Sequence, residues 1–272
     1  MACFIVILQR SFARLRQNMT IKETIKARHS VRAYKGEPLA ADVVEVLEER
    51  IKELNEKGHL HMQLIRNETK AFEGKLAKYG KFRGVNNYIV MAGQKAAIKR
   101  EKSQACLDSS EREQARMQFK ADDLDERIGY YGEQLVLLAQ TLGLNTCWVG
   151  LSYSKVPGTY VLEAGEVIKA YIAIGYGETQ GVSHKIKSVE QVSNANDLIP
   201  SWFKQGVEAA LLAPTAVNQQ KFFFEYIPAR DGKPARVLAK RNFSMIGFTQ
   251  MDLGIAKCHF EIGAGKDNFE WA

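Results

Sequence analysis

A run of cationic and hydroxyl-bearing residues follows a short helical pattern near the start of the chain. In the segment RHSVRAYKG, Arg28 and Arg32 flank His29 and Ser30. Guanidinium groups offer paired donors that match phosphate oxygens, and a serine hydroxyl adds another donor. Cations also suit the negative end of a helix dipole, so a solvated helix end would explain the same residues. The segment therefore predicts a phosphate site or an ordinary helix terminus.

A second polar segment, APTAVNQQ (213–220), is predicted to follow a helix that ends at Pro214. The hydroxyl of Thr215 and the amides of Asn218 and Gln220 could hydrogen-bond the polar edge of a planar heterocycle. Proline, threonine and asparagine also cap helix-terminating turns, and that local role is an equally good explanation.

Two further segments could complete such a site. GLNTCWVG (143–150) turns from a helix into a strand, where its backbone and Gly150 could lie along a flat ring; a core strand filled by Cys147 and Trp148 is the alternative. YGETQGVSHKIK (176–187) places Lys185 and Lys187 in a polar loop, and such a lysine pair is ordinarily surface.

Composition argues against several other functions. The chain has 38 Lys and Arg against 31 Asp and Glu, a net charge of +7, but acids and bases alternate along it. No basic stripe interleaved with aromatic residues is present, so nucleic-acid binding is not expected. No apolar run is long enough to span a membrane. The four cysteines are widely spaced, which indicates free thiols in a reducing, cytoplasmic environment. We interpret residues 1–18 as an appendage.

Helical and strand patterns then order the chain. Helices are predicted from Thr20 to about His29, over 40–58, over 122–142, from about residue 201 to Pro214, and over 251–264. Strands are predicted over 59–65, 88–93, 146–150, 166–177, 222–227 and after the Asp231-Gly232 turn. His59 and His61 alternate on one strand, but no third metal ligand accompanies them. Because helices and strands do not alternate strictly, we predict an α+β fold with helices on a mostly antiparallel sheet.

Taken together, the four segments resemble the nitroreductase superfamily of FMN enzymes. RHSVRAY is similar to the opening arginine signature of that family, and APTAVNQQ to its A-P-S-x-x-N-x-Q segment. GYYGEQLVLLAQTLGLNTCWVG resembles the long central helix and following strand, and IAIGYG with its trailing lysines resembles the end of the phosphate site. Thr215 departs from the usual Ser, and Lys221 from the usual Pro.

The resemblance implies the following cofactor contacts. The FMN phosphate and ring edge would be held by Arg28, His29, Ser30, Arg32, Lys185 and Lys187; the ring and ribityl chain would be bordered by Thr146, Cys147, Trp148, Val149, Gly150, Pro214, Thr215, Ala216, Asn218 and Gln220. Taking Arg28 as a surface residue, we expect Arg28→Ala to change stability by no more than about 0.5 kcal/mol. Pocket-lining residues are expected in a lid over 103–119.

In the ordinary family the asparagine segment follows the arginine signature after one short helix, whereas here it lies far downstream. We therefore predict two fused, half-degenerate copies, residues 19–190 and 191–272, that form a pseudo-dimer with one FMN per chain and need not dimerise. The implied activity is ping-pong transfer of hydride from NADH or NADPH to a small electron-poor acceptor, such as a nitroaromatic or a quinone, with no catalytic protein residue. A flavin-binding or sensing protein without turnover is the alternative.

Overall fold

The structure is a computed structural model that describes residues 19–94 and 124–272. The appendage predicted for residues 1–18 and the lid predicted for 103–119 lie outside the described residues. Helices are α1 (Ile21–Ala27), α2 (Ala41–Gly58), α3 (Lys75–Tyr79), α4 (Leu124–Thr141), α5 (Val189–Val192), α6 (Ser201–Leu211) and α7 (Thr249–Ala264). Strands are β1 (Gln63–Ile65), β2 (Tyr88–Gln94), β3 (Asn145–Val149), β4 (Glu166–Gly175), β5 (Phe222–Ile227), β6 (Arg236–Arg241) and β7 (Glu270–Trp271).

The strands form two sheets. The first has the order β1-β2-β4-β3 and is antiparallel throughout. In the second, β5 pairs with β6 antiparallel and the short β7 runs parallel to β6. Helices pack on both sheets, so the predicted α+β fold with a mostly antiparallel sheet is confirmed.

Local sequence signals account for the helix ends. Thr20 and Glu23 form a capping box, in which the hydroxyl of Thr20 accepts from the backbone of Glu23 and the carboxylate of Glu23 accepts from the backbone of Thr20. Helix α2 ends at Gly58, and His59 takes the left-handed conformation that closes it.

Strand β1 is shorter than the alternating pattern predicts. The side chain of Asn55 accepts from the backbone N–H of Met62 at 2.8 Å and donates to its carbonyl at 2.9 Å. Because α2 thus holds this segment, the edge strand begins at Gln63.

Helices α4 and α7 cross with their backbones in contact. A Cβ on Gly129 would overlap the carbonyl oxygen of Met251, and a Cβ on Gly254 would overlap the carbonyl oxygen of Glu126. In both cases the carbonyl belongs to the residue three positions before the other glycine. This reciprocity is the geometry of two related units packed about a local two-fold axis.

Candidate cofactor site

The four chemically suggestive segments come together in the structure. Ser30 pairs with Thr146 of β3, and the N–H of Val31 donates to the Thr146 carbonyl at 3.0 Å. Gly181 lies against Ser30, since a Cβ there would be 3.2 Å from its carbonyl. The carbonyl of Lys185 accepts from Gln220 at 2.8 Å, which joins the polar loop to the turn at 213–220.

The two arginines of the arginine segment, residues 28–36, differ in solvent exposure. Arg32 is exposed and forms no ion pair with a described residue, whereas Arg28 is only 3% exposed. The Nη2 of Arg28 donates to the carbonyl of Leu212 at 3.4 Å, and its Nε lies 3.8 Å from an oxygen of Glu133. Burial lowers the pKa of Arg28, while Glu133 acts in the opposite direction. The expectation of a surface arginine was wrong, because the end of α6 and the middle of α4 enclose this side chain.

The two remaining groups of this segment are half-buried. Burial raises the pKa of the Cys147 thiol, while the nearby Arg32 and Ser30 lower it. Burial also lowers the pKa of His29, and the charge of Arg28 lowers it further. Both effects disfavour the protonated imidazole, as does the nearby His184.

Strand β3 forms the floor next to the arginine segment. Thr146, Cys147 and Val149 are buried, and the indole of Trp148 donates to an oxygen of Glu133 at 2.8 Å. At the end of the strand a Cβ on Gly150 would lie 2.6 Å from the ring of Phe248. A glycine at this point therefore allows an aromatic ring to cover the backbone.

The turn at 213–220 is strained and internally bonded. Val217, Asn218 and Gln220 all have positive φ, a conformation that L-residues seldom adopt. The N–H of Gln220 donates to the hydroxyl of Thr215 at 3.1 Å, and the amide of Asn218 donates to the carbonyl of Lys185 at 2.8 Å. The amides that the sequence suggested for a ligand edge thus hold the neighbouring lysine loop in place.

The two predicted phosphate lysines differ in the same way. The ammonium of Lys187 donates to the carbonyls of Gln219 and Gln220 at 3.0 and 2.7 Å, so it is occupied by the turn. Lys185 is exposed and forms no ion pair within the described part of the chain. Of the pair, Lys185 is the cation whose head group is accessible.

The sequence did not point to Asp252, whose carboxylate is hydrogen-bonded to the turn at 213–220. This carboxylate is 4% exposed, and it accepts from the N–H of Ala216 at 3.0 Å and from the amide of Gln219 at 2.7 Å. Burial raises the pKa of Asp252 to about 6, and the two hydrogen bonds oppose that rise. Its position in the first turn of α7 is the one signal the sequence offered, because acidic residues favour helix N-termini.

Glu133 and His259 were also missed, because both lie on helix faces that read as plain core. Both are completely buried, and an oxygen of Glu133 lies 2.8 Å from Nε2 of His259. The two helices that carry them come from different halves of the chain.

The site's residues fit an anionic cofactor. The Nε of Arg28 is buried and has no hydrogen-bond partner in the described part of the chain, and Arg32 and Lys185 are exposed. A phosphate could take donors from Arg32 and Lys185 without breaking an ion pair of either with a described residue, while the buried Arg28 would add positive charge. A metal fits less well, since within residues 19–94 and 124–272 no three His, Cys, Asp or Glu side chains are grouped to hold one. His61, one of the two strand histidines, instead contacts Glu166 at 2.6 Å.

Among the helices of the described ranges, none is both long and apolar enough to cross a membrane. The described cysteines, Cys147 and Cys258, are buried free thiols.

Comparison with known proteins identifies relatives of this architecture. Residues 20–104 and 114–264 match the family described as "Putative TM nitroreductase". A nitroreductase-type structure from Thermotoga maritima superposes with a TM-score of 0.56 at 20% identity, over 93% of this chain and 87% of its own. A nitroreductase-like protein from Streptococcus mutans gives 0.50 at 14%, over 64% and 97%. An FMN complex from Exiguobacterium sibiricum gives 0.48 at 18%, over 67% and 100%. No curated protein matches the chain.

Proposed function

This chain belongs to the TM nitroreductase family, and we propose that it is an FMN-dependent oxidoreductase that takes electrons from NADH or NADPH and passes them to a small electron-poor acceptor. The observation that carries the proposal is the convergence of the four segments around two exposed cations, Arg32 and Lys185, which form no ion pair with a described residue, and around the buried Arg28. Bound FMN would supply the hydride chemistry, and the protein its orientation and charge.

Each predicted contact residue has a proposed part in holding the cofactor. Arg32 and Lys185 bind the phosphate with help from Ser30 and His29, and Arg28 contributes charge from beneath. The ring lies along the backbone of β3 and the residue after it, a stretch made of Thr146, Cys147, Trp148, Val149 and Gly150. The turn formed by Pro214, Thr215, Ala216, Asn218 and Gln220 closes the site, and Lys187 keeps that turn against the lysine loop.

We propose one such site per chain, because the two halves of the molecule hold their corresponding turns with side chains of opposite charge. Asp252 lies two residues before the crossing glycine of α7 and accepts from a backbone N–H of its turn. Arg127 lies two residues before the crossing glycine of α4 and donates to the carbonyls of Gly58 and His59 at 2.6 and 3.0 Å. The turn after α2 also lacks the Pro-Thr-Asn-Gln set, so residues 19–190 and 191–272 act as unequal copies.

The first experiment is a visible absorption spectrum of the purified protein, taken without air before and after NADH or NADPH is added. Flavin absorption that bleaches supports cofactor, donor and redox competence together. A protein that stays colourless after incubation with FMN contradicts the proposal. Steady-state NAD(P)H oxidation with a quinone or a nitroaromatic then tests the acceptor class.

A second candidate, a flavin-binding protein without turnover, is favoured by the position of Phe248. Its ring covers Gly150 at the end of β3, where an acceptor would have to approach a ring lying along that strand. Flavin absorption that NADH and NADPH leave unchanged, but that bleaches with them in Phe248→Ala, would support this candidate over the enzyme.

A further inference from the structure

A buried polar cluster joins the two halves of the molecule directly beneath the site. Its centre is Glu133 of α4, which contacts three groups from three different elements. One carboxylate oxygen accepts from Trp148 at 2.8 Å, and the other lies 2.8 Å from Nε2 of His259 and 3.8 Å from Nε of Arg28. Since Glu133 and His259 are both completely buried, no solvent neutralises their charge.

The hydrogen bonds of His259 fix how many protons this cluster holds. Its Nδ1 lies 3.2 Å from the carbonyl oxygen of Ala209, and a carbonyl oxygen can only accept, so Nδ1 carries a hydrogen. A neutral imidazole with its hydrogen on Nδ1 has a lone pair on Nε2. That lone pair would face the oxygen of Glu133 at 2.8 Å, and two acceptors do not pack at such a distance. A second proton must therefore lie between them.

We infer that Glu133 and His259 share one proton and together carry no net charge, so that the buried guanidinium of Arg28 is a positive charge left uncancelled at the floor of the site. Whether the shared proton resides on the carboxylate or on the imidazole, the pair sums to zero. This inference rests on the proposed function only where it assigns that charge to the phosphate or ring of FMN.

The geometry around Arg28 agrees with this charge count. Its contact with Glu133 is 3.8 Å long and is not a hydrogen bond, and the Nε hydrogen has no acceptor among the described residues. A carboxylate that neutralised Arg28 would be expected to form a short, paired hydrogen bond with the guanidinium. In a buried setting of low dielectric, such an uncancelled charge acts strongly on a nearby anion.

The first test uses two Glu→Gln variants of the same helix in the protein without flavin. In Glu133→Gln the amide can accept from Trp148 and donate to Nε2 of a neutral His259, so the charge of the cluster does not change. We expect its melting temperature to stay within about 3 °C of wild type. Glu126 is similarly buried but contacts the ammonium of Lys257 at 2.7 Å, so Glu126→Gln removes a true charge partner and should lower the melting temperature by about 10 °C. An equal loss in both variants would overturn the inference.

Nitrogen-15 NMR of the flavin-free wild type observes the histidine ring nitrogens directly. With ring-labelled histidine, and His259→Gln to assign the signal, Nδ1 of His259 is expected to be protonated. A pyridine-type resonance for Nδ1, with the hydrogen on Nε2 alone, would mean a neutral histidine donating to a carboxylate and would overturn the shared proton.

The last test compares FMN with riboflavin, which lacks the phosphate. Glu133→Gln should keep the preference for FMN within about threefold of wild type, whereas Arg28→Gln should reduce it by about tenfold or more. A tenfold gain in Glu133→Gln would show that Glu133 had been cancelling the charge of Arg28, and the inference would be wrong. If neither flavin binds wild type, the proposed function fails while the NMR and melting results still decide the proton count.

Discussion

Arg28 is a buried cation whose charge the described residues compensate poorly. Its guanidinium is buried, its Nε has no hydrogen-bond partner within residues 19–94 and 124–272, and burial lowers its pKa. Replacing poorly compensated buried charge by an apolar side chain of similar size is often neutral or stabilising. Functional sites commonly carry such destabilising groups because their ligand needs them.

We therefore expect Arg28→Met to raise the unfolding free energy of the flavin-free protein by about 1 kcal/mol while weakening FMN binding by about tenfold or more. Denaturant titration and FMN titration measure the two effects. Arg32→Met is the control: because Arg32 is exposed, its stability should change by no more than about 0.5 kcal/mol. A loss of more than about 2 kcal/mol in Arg28→Met would instead mark Arg28 as a stabilising ion-pair partner.

Asp252 gives the stability a predictable pH dependence. Its pKa rises from 3.8 to about 6 in the folded protein, so the folded state holds the proton more tightly than the unfolded state does. The resulting stabilisation is complete below about pH 3.8 and is lost as the pH rises through about 6, a change of about 3 kcal/mol. Asp252→Asn should remove this dependence, as chemical denaturation of both proteins at pH 4.5, 6 and 7.5 can show. Parallel pH profiles for the two proteins would contradict the assignment.

The residue types of the candidate site could be predicted from the sequence, but the burial of their side chains could not. Arg28, Ser30 and Lys185 were recognisable from residue type and spacing. The burial of Arg28 was not, because it depends on Leu212, which lies 184 residues away along the chain. Glu133 was missed for a related reason, because its partners Trp148 and His259 lie on other elements. An acid on an apolar helix face can be assigned to a polar cluster only when those elements have been placed.

At the scale of elements, the crossing of α4 and α7 depends on two glycines that occupy equivalent positions. Gly129→Ala and Gly254→Ala each place a Cβ against a backbone carbonyl, which cannot move as a side chain would. We expect each to cost about 2 kcal/mol or more, with similar values because the contacts are reciprocal. Thermal or denaturant unfolding measures both.

Thr141→Ala, in the last turn of α4, is the control for the glycine variants. Among the described residues its hydroxyl bonds only the carbonyl of Leu138, so its loss should change stability by about 0.5 kcal/mol at most. Tolerance of alanine at either glycine would mean that the helices lie further apart than described.

Most elements follow from local patterns, and strand β5 has the predicted bounds, Phe222–Ile227. The predicted 122–142 helix is observed over Leu124–Thr141 within the described residues. What local pattern could not show is that Asn55 binds the segment before β1, since a long-range polar contact carries no periodic signal. The pairing of α4 with α7 could not be predicted either, because no local pattern shows that Gly129 and Gly254 lie at the contact between two helices.

At the scale of the whole molecule, the proposal of unequal copies predicts a stoichiometry. Protein saturated with FMN should hold one flavin per chain, measured by flavin absorbance against amino-acid analysis. Arg28→Gln should lower the flavin occupancy at a subsaturating FMN concentration, because the sequence offers no second arginine segment to substitute for it. Two flavins per chain would contradict the argument from the opposite charges of Asp252 and Arg127.

The helix crossing has a further consequence, since Gly129 and Gly254 belong to one polypeptide. Helices on separate chains part as a protein is diluted, because mass action favours free subunits at low concentration. Here the connecting chain tethers the two helices, and their local concentration is fixed by that tether at any protein concentration. The melting temperature should therefore be the same in nanomolar as in micromolar solution, and the proposed cofactor site, whose residues come from both halves, would stay whole in a cell that makes few copies of the protein.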